Sequence, residues 1–495
     1  MLLLSVKRGS PVPVYKQIHD QIIKLVDDGT LEPGTRLPPT RVLAQKIGAN
    51  RSTVYRAYQE LWALGYMESR PGSYSTVRRR ARMIPANGRA DGQLIDWRAA
   101  SPAAARRIYD DYVDLCNKHP RNDSPHVIRF TQLSADRELC PVDDLRLSVK
   151  RVLIQKGKDI LDYGDPAGYG PLRETIARRM RIHGVTVSAD QILVTNGAQH
   201  AIDLVLRLLC QQGSSVAVEV PTYSLAIPLF RFHGVSMMEV PMREDGMDLD
   251  VLQKRLNRLR PALLYTIPNF HNPTGITTGQ AHREKLLSLC EAHRIPVVED
   301  GFEEEMKYFG KAVLPIKSMD VNGIVIYLGT FSKVIFPGLR VGWIAADRDC
   351  IQRLLAIYRY SNLSGNNLAQ VAIDHFCNAG HYEEHIRRIH RAYRKRMQAM
   401  LRAMEEHMPQ ERVEWTRPAG GYTLWVRLRD CRRSEKEAQQ DLLKAGVAIS
   451  PGSFYFPAPQ EDVYFRLSVT NLTEEQIEEG VRRLGKSLRR ILAGG

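Results

Sequence analysis

Apolar residues recur at helical spacing at Val14, Ile18, Ile22 and Leu25, and the pattern stops at Asp27-Asp28-Gly29. This predicts an amphipathic helix. A turn-rich run, Glu32-Pro33-Gly34-Thr35, leads to Leu37-Pro38-Pro39-Thr40, where Thr40 is placed to cap a short helix carrying Val42, Leu43 and Ile47 and ended by Gly48. Asn50 or Ser52 caps a third helix whose buried face is Val54, Tyr58, Leu61 and Leu64, closing at Gly65. Two β-like runs, Tyr66 to Ser69 and Tyr74 to Val77, flank Arg70-Pro71-Gly72-Ser73 and read as a hairpin. Three helices and a hairpin make a winged helix-turn-helix. A plain three-helix bundle with solvated charges fits the same spacing.

The pattern then lapses. Arg78, Arg79, Arg80 and Arg82 are followed by PANGRADGQ, with few apolar residues, so residues 78–125 read as a linker with some helical character around Tyr109 to Leu115. From about Gln191 apolar runs alternate with amphipathic stretches: strands at Ile192–Thr195, Val216–Val220, Leu263–Ile267, Val297–Glu299 and Ile324–Leu328, and helices at Ala198–Gln211, Ser224–His233 and Ala281–His293. Such alternation predicts an α/β domain with a mostly parallel sheet and helices on both faces. Ligands of such sheets gather at the carboxyl ends of the strands.

Charge sharpens the division. The chain carries a formal +15, and residues 1–82 hold 14 Lys+Arg against 6 Asp+Glu, so more than half of the excess lies in about a sixth of the 495 residues. That distribution fits a nucleic-acid-binding head on a nearly neutral body. The seven cysteines are scattered, odd in number and without a Cys-x-x-Cys pair, so neither a disulfide framework nor a metal site is expected. With no uninterrupted apolar run of membrane-spanning length, a cytoplasmic protein without membrane contact is the expectation.

Five polar or glycine-rich clusters follow the strands: Asn196-Gly197-Ala198-Gln199, Pro221-Thr222-Tyr223, Asn269 to Gly275, Asp300-Gly301-Phe302 and Thr330-Phe331-Ser332-Lys333. Each alone reads as turn chemistry. Together they should converge on one sheet edge. In this setting a lysine can act as an amine nucleophile, a buried carboxylate can hold a positive ring nitrogen, and a helix start with a nearby arginine can hold a phosphate.

The wording of the sequence adds two resemblances. The stretch containing VYKQIHDQI, LEPGTRLPPTRVLA, ANRSTVYRAYQELWALGY and ESRPGS resembles the GntR-family DNA-binding domain, which implies that Arg41, Arg51, Ser52, Thr53, Tyr55, Arg56 and Gly72 meet operator DNA. From about Val127 onward, the five clusters in their order resemble the fold-type-I aminotransferases. That resemblance implies a pyridoxal 5′-phosphate cofactor, with Lys333 in TFSKVIFPGLRVGW as the internal-aldimine lysine and Asp300 on the pyridine nitrogen. It further implies that Tyr223 stacks on the ring and Asn272 bonds the 3′-oxygen. Gly197, Ala198, Gln199, Thr330, Ser332 and Arg340 are implied at the phosphate, and Arg466 at a ligand carboxylate. Tyr163, in YGDPAGYGPLRE, matches a tyrosine that reaches the phosphate held by the other subunit, which implies a homodimer, head to tail.

The combined layout is similar to the MocR-type regulators: a winged helix-turn-helix over residues 1–77, a linker over 78–125 and an aminotransferase-like sensor domain over 126–495. It implies a transcription regulator that binds an amino-acid or amine effector. Phe302 departs from the pattern, because a tyrosine that donates to the 3′-oxygen normally stands there. Two activities stay open on sequence: a sensor with little turnover, and a working aminotransferase that carries a DNA-binding domain.

Overall fold

The computed structural model describes residues 4–7, 9–68, 74–78, 95–118, 124, 126–302, 304–310 and 313–493. The hairpin turn with Gly72, and Arg79, Arg80 and Arg82, lie outside them. The chain divides into two compact units, residues 1–100 and 101–495.

In the first unit, helices span Val14–Asp27, Thr40–Ile47 and Arg51–Ala63, and Met67–Glu68 pairs antiparallel with Thr76–Val77. Ile18, Ile22, Leu43, Val54, Tyr58, Leu61 and Val77 close the core between them. Two local expectations are corrected. Thr40 is the first helical residue and Pro39, with no side-chain bond, stands at the cap position, since two successive prolines hold the approach extended. Leu64 lies half exposed beyond the helix end, and Ala57 takes its place on the buried face. Asn50 caps the third helix by accepting from the Ser52 amide.

The second unit is built on an eight-stranded sheet, ordered Ile192–Thr195, Gly342–Ala345, Val325–Thr330, Val297–Asp300, Leu263–Thr266, Ser215–Val220, Ser236–Arg243 and Gly246–Met247. The five central strands run parallel, and 342–345 lies antiparallel to both neighbours. Side chains alternate between two cores. Val216, Val218, Leu263, Tyr265 and Val298 pack with the 198–209 and 348–362 helices, whereas Ala217, Leu264 and Val297 pack with the 249–256 and 280–293 helices. This two-residue period on both faces explains why these strands read as continuous apolar runs. A smaller antiparallel sheet joins Val413–Trp415, Thr423–Leu428, Val463–Ser468 and Ser450–Pro451.

The segment expected as linker contains the helix Ala103–Lys118, which belongs to the second unit. Ile108, Asp111 and Leu115, on one helical stripe, are half-buried, and Asp111 pairs with Arg231 at 3.4 Å. Among the described residues no helix is long and apolar enough to cross a membrane.

Candidate functional site

The carboxyl ends of the parallel strands bring the predicted clusters together. Asp300 ends its strand, is 3% exposed, and accepts from the Tyr265 hydroxyl through Oδ2 at 2.8 Å. Burial pushes its carboxyl up to about 6, against the lowering effects of Tyr265, the Phe302 backbone amide and the nearby Lys333. The Lys333 ammonium lies just beyond the 325–330 strand and donates to the Leu133 carbonyl at 2.6 Å. Tyr223 is half-buried; burial raises its phenol, and Asp300, Arg466, Tyr455 and Arg340 all act on it electrostatically. One side chain thus senses one carboxylate, two guanidinium groups and a phenol from four separate segments.

Gly197 opens the 198–209 helix at φ +96°, with Ala198 as its first residue. The first amides of this helix have no partner within it, which makes its start an anion-binding position. Arg340 closes that position, donating through Nη2 to the Asn196 carbonyl at 2.7 Å. The Ser332 amide donates to Thr330 Oγ1 at 3.1 Å. Gln199 donates through Nε2 to the Leu225 carbonyl at 3.0 Å.

Arg466, 5% exposed, donates through Nη1 to Asn272 Oδ1 at 3.0 Å and through Nη2 to the Thr131 carbonyl at 2.9 Å, with Tyr455 beneath it at 5.3 Å. Both terminal nitrogens already have acceptors within the chain. With its oxygen engaged, Asn272 has its amino group left to donate. Tyr163, by contrast, is 77% exposed and is not brought to this site within its own chain.

The site carries unmet polar demand. Gln199 Oε1, Thr222 Oγ1, Asp300 Oδ1, Ser332 Oγ and Arg466 Nε are all buried without a hydrogen-bond partner. Buried polar atoms are ordinarily satisfied, so several at one locus are donors and acceptors that a ligand can meet. Their chemistry fits pyridoxal phosphate: a carboxylate oxygen for the pyridine nitrogen, a hydroxyl and a helix start for the phosphate, a guanidinium for a carboxylate.

Three contributors escaped the sequence reading. His200 receives the Asn196 amide at 3.2 Å and packs on Tyr358, and burial lowers its basicity. Its place four residues after Asn196 was the available signal. Leu133 contributes only a carbonyl, which no side-chain pattern announces. Tyr265 stands in an apolar strand, where a buried phenol implies a partner for its hydroxyl.

In the first unit, Arg41, Arg51, Ser52, Tyr55 and Arg56 are exposed and Thr53 is half-buried. Arg56 is already engaged, lying 4.0 Å over the Tyr15 ring and 3.4 Å from Glu60. Arg36 was not anticipated; it bridges to Thr76 and stacks on Tyr74 at 5.3 Å.

Comparison with known proteins agrees with this division. Residues 14–77 match the family described as bacterial regulatory proteins, gntR family, and residues 130–484 match aminotransferase class I and II. The HTH-type transcriptional regulator YdfD of Bacillus subtilis is 30% identical over 98% of both chains. The probable rhizopine catabolism regulatory protein MocR of Rhizobium meliloti is 27% identical over 100% of this chain and 97% of its own. Among solved structures, the α-aminoadipate aminotransferase LysN of Thermus thermophilus, complexed with N-(5′-phosphopyridoxyl)-L-leucine, superposes with a TM-score of 0.74 and 34% identity, over 81% of this chain and all of LysN.

Proposed function

Since the chain belongs to the aminotransferase class I and II family and carries a gntR-family head, we propose that it is a MocR-type transcription regulator whose pyridoxal-phosphate domain senses an amino acid or amine. The observation that carries this reading is collinearity with an HTH-type regulator across 98% of both chains, which an aminotransferase of the body alone does not share. Residues 1–77 form the DNA-binding head, 78–125 the connection and 126–495 the sensor, with the 103–118 helix of the connection packed on the sensor.

Bound pyridoxal phosphate supplies an aldehyde that takes up amines and a ring that draws electrons. Lys333 holds the cofactor through its amine, Asp300 keeps the ring nitrogen protonated, and Tyr223 packs against the ring. Gly197, Ala198, Gln199, Thr330, Ser332 and Arg340 hold the phosphate, and Asn272 donates to the 3′-oxygen. Arg466 takes the ligand carboxylate. It does so by exchanging one of its two internal acceptors or by using Nε. Phe302, 8% exposed, brings no hydroxyl to the 3′-oxygen, which favours sensing over turnover.

A second copy completes the assembly. Tyr163 is exposed, as are Leu161 two residues before it and Val142 and Ile154 on the 142–156 helix, at 73%, 65% and 70%, which supports a homodimer. Ligand uptake changes the state of the sensor, and the heads change their hold on the operator. In the head, Arg41 contacts phosphate while Arg51, Ser52, Thr53 and Tyr55 present the start of the third helix to base edges.

Borohydride reduction of the reconstituted protein tests the cofactor part. The expected result is a phosphopyridoxyl group attached covalently at Lys333 by peptide mapping. Attachment elsewhere, or none, contradicts the assignment.

A further inference from the structure

Tyr265 and Asp300 stand on adjacent parallel strands. Tyr265 pairs in register with Val298, so Asp300, two residues further on, projects to the same face. The Tyr265 ring is 1% exposed and meets Phe230 edge-on at 5.9 Å, so its position is set by packing rather than by the carboxylate. Its hydroxyl donates to Asp300 Oδ2 at 2.8 Å, while Oδ1 is buried without a partner. We propose that Tyr265 is a positioning residue of the cofactor site: it holds one oxygen of Asp300 and leaves the other to accept from the pyridine nitrogen. This rests on the reading of Asp300 as the ring's carboxylate.

The arrangement does two things. It fixes the carboxylate rotamer, because turning Oδ1 away costs the Oδ2 bond. It also opposes the effect of burial on acidity. Burial drives the carboxyl up, and Glu219 adds to this; the Tyr265 hydroxyl, the Phe302 amide and Lys333 work the other way. Tyr223 and Tyr327 also lie within electrostatic reach of Asp300, both as phenols raised by burial and therefore neutral. The Tyr265 phenol itself is pushed well above its ordinary range, by burial first and then by Asp300, so it remains a donor. A proton shared between a pyridine nitrogen and a carboxylate stays on the ring only while the carboxylate is the weaker base. Losing a hydrogen bond to a charged acceptor should make Asp300 roughly ten- to a hundredfold more basic.

The test uses full-length protein reconstituted with pyridoxal phosphate labelled with ¹⁵N in the ring, as wild type and as Tyr265→Phe. The substitution removes one oxygen and keeps the ring against Phe230. Expected for the wild type is a pyridinium-like ¹⁵N resonance at neutral pH, with a transition on acidification as Asp300 protonates. In Tyr265→Phe the neutral-pH resonance moves toward uncharged pyridine, and the transition shifts upward by about one to two pH units. A variant that binds the cofactor less tightly at every pH, with resonance and transition unmoved, shows a packing role only and overturns the proposal. A wild type without the pyridinium signal instead overturns the reading of Asp300, and the proposal with it. If Tyr265→Phe does not fold, 3-fluorotyrosine at position 265, a stronger donor, should move the transition downward. An unmoved transition there also overturns the proposal.

Discussion

The Arg340 guanidinium lies so close to Gly197 that a Cβ at position 197 would sit 2.9 Å from Nη2, while that same nitrogen donates to the neighbouring Asn196 carbonyl. The backbone requires glycine there, and a methyl would also push the Arg340 guanidinium aside. Its φ of +96° disfavours any side chain, and the group that would have to move is the one that faces the helix start. Gly197→Ala should therefore cost about 1–3 kcal/mol locally and weaken cofactor binding about tenfold or more, since 1.4 kcal/mol is a factor of ten. Absorbance titration of the apoprotein with pyridoxal phosphate measures this, and unchanged affinity would detach the 198–209 helix from the phosphate.

The weakened acidity of the buried Asp300 carboxyl makes a stability prediction for the cofactor-free protein. A carboxyl whose value rises from 3.8 to about 6 on folding is destabilised in its charged form by the fold. Its penalty is absent below the unfolded value, grows as pH rises through that interval and is complete above about 6. Asp300→Asn should thus melt higher than wild-type apoprotein above neutral pH, by on the order of 1–3 kcal/mol, and the difference should vanish in acid. With cofactor bound the order should reverse. Differential scanning calorimetry of both forms at two pH values checks each sign.

Arg51 and Arg56 lie on the same helix but should behave differently. Arg51→Ala should cost roughly 1–3 kcal/mol in operator binding if it reads a base and leave the melting temperature of the head unchanged. Arg56 already stacks on Tyr15 and pairs with Glu60, so Arg56→Ala should lower head stability by about 0.5–1 kcal/mol and affect DNA affinity less. Fluorescence anisotropy and thermal melting on each variant separate the two roles. Equal losses of affinity would show that Arg56 leaves Tyr15 to reach DNA.

Phe302→Tyr restores a donor near the 3′-oxygen. A hydrogen bond to a charged oxygen is worth about 1.5–3 kcal/mol, or one to two pKa units. The pH midpoint of the visible absorbance band of the holoprotein should therefore fall by about that much in the variant. An unmoved midpoint would mean that the residue at position 302 does not reach this oxygen.

Much of this was legible in the sequence because local signals and burial agreed. The three head helices, Gly48 as a left-handed terminator and the five strand-end clusters all follow from periodicity and turn chemistry. The antiparallel strand 342–345 was missed because it opens with a glycine and has no α-helix between it and the 325–330 strand, so it falls outside the strand–helix alternation. The 103–118 helix was only glimpsed: its exposed tyrosines, Tyr109 and Tyr112, blur the amphipathic stripe that Ile108 and Leu115 mark. Distances across strands are not written in either strand alone, so the bond between Tyr265 and Asp300, and the engagement of Arg466 by Asn272 and Thr131, needed the fold.

The central claim, that ligand uptake at the sensor serves DNA binding rather than turnover, is tested most directly by one titration. A DNA fragment selected from a random pool by the full-length holoprotein is titrated at fixed salt, with and without each common amino acid and simple amines. Keto-product formation is followed in the same samples. At least one ligand should change the affinity or the footprint while product appears slowly or not at all. Product formed at ordinary enzymatic rates, on the order of 1 to 1,000 per second, with DNA binding indifferent to every ligand, would contradict it.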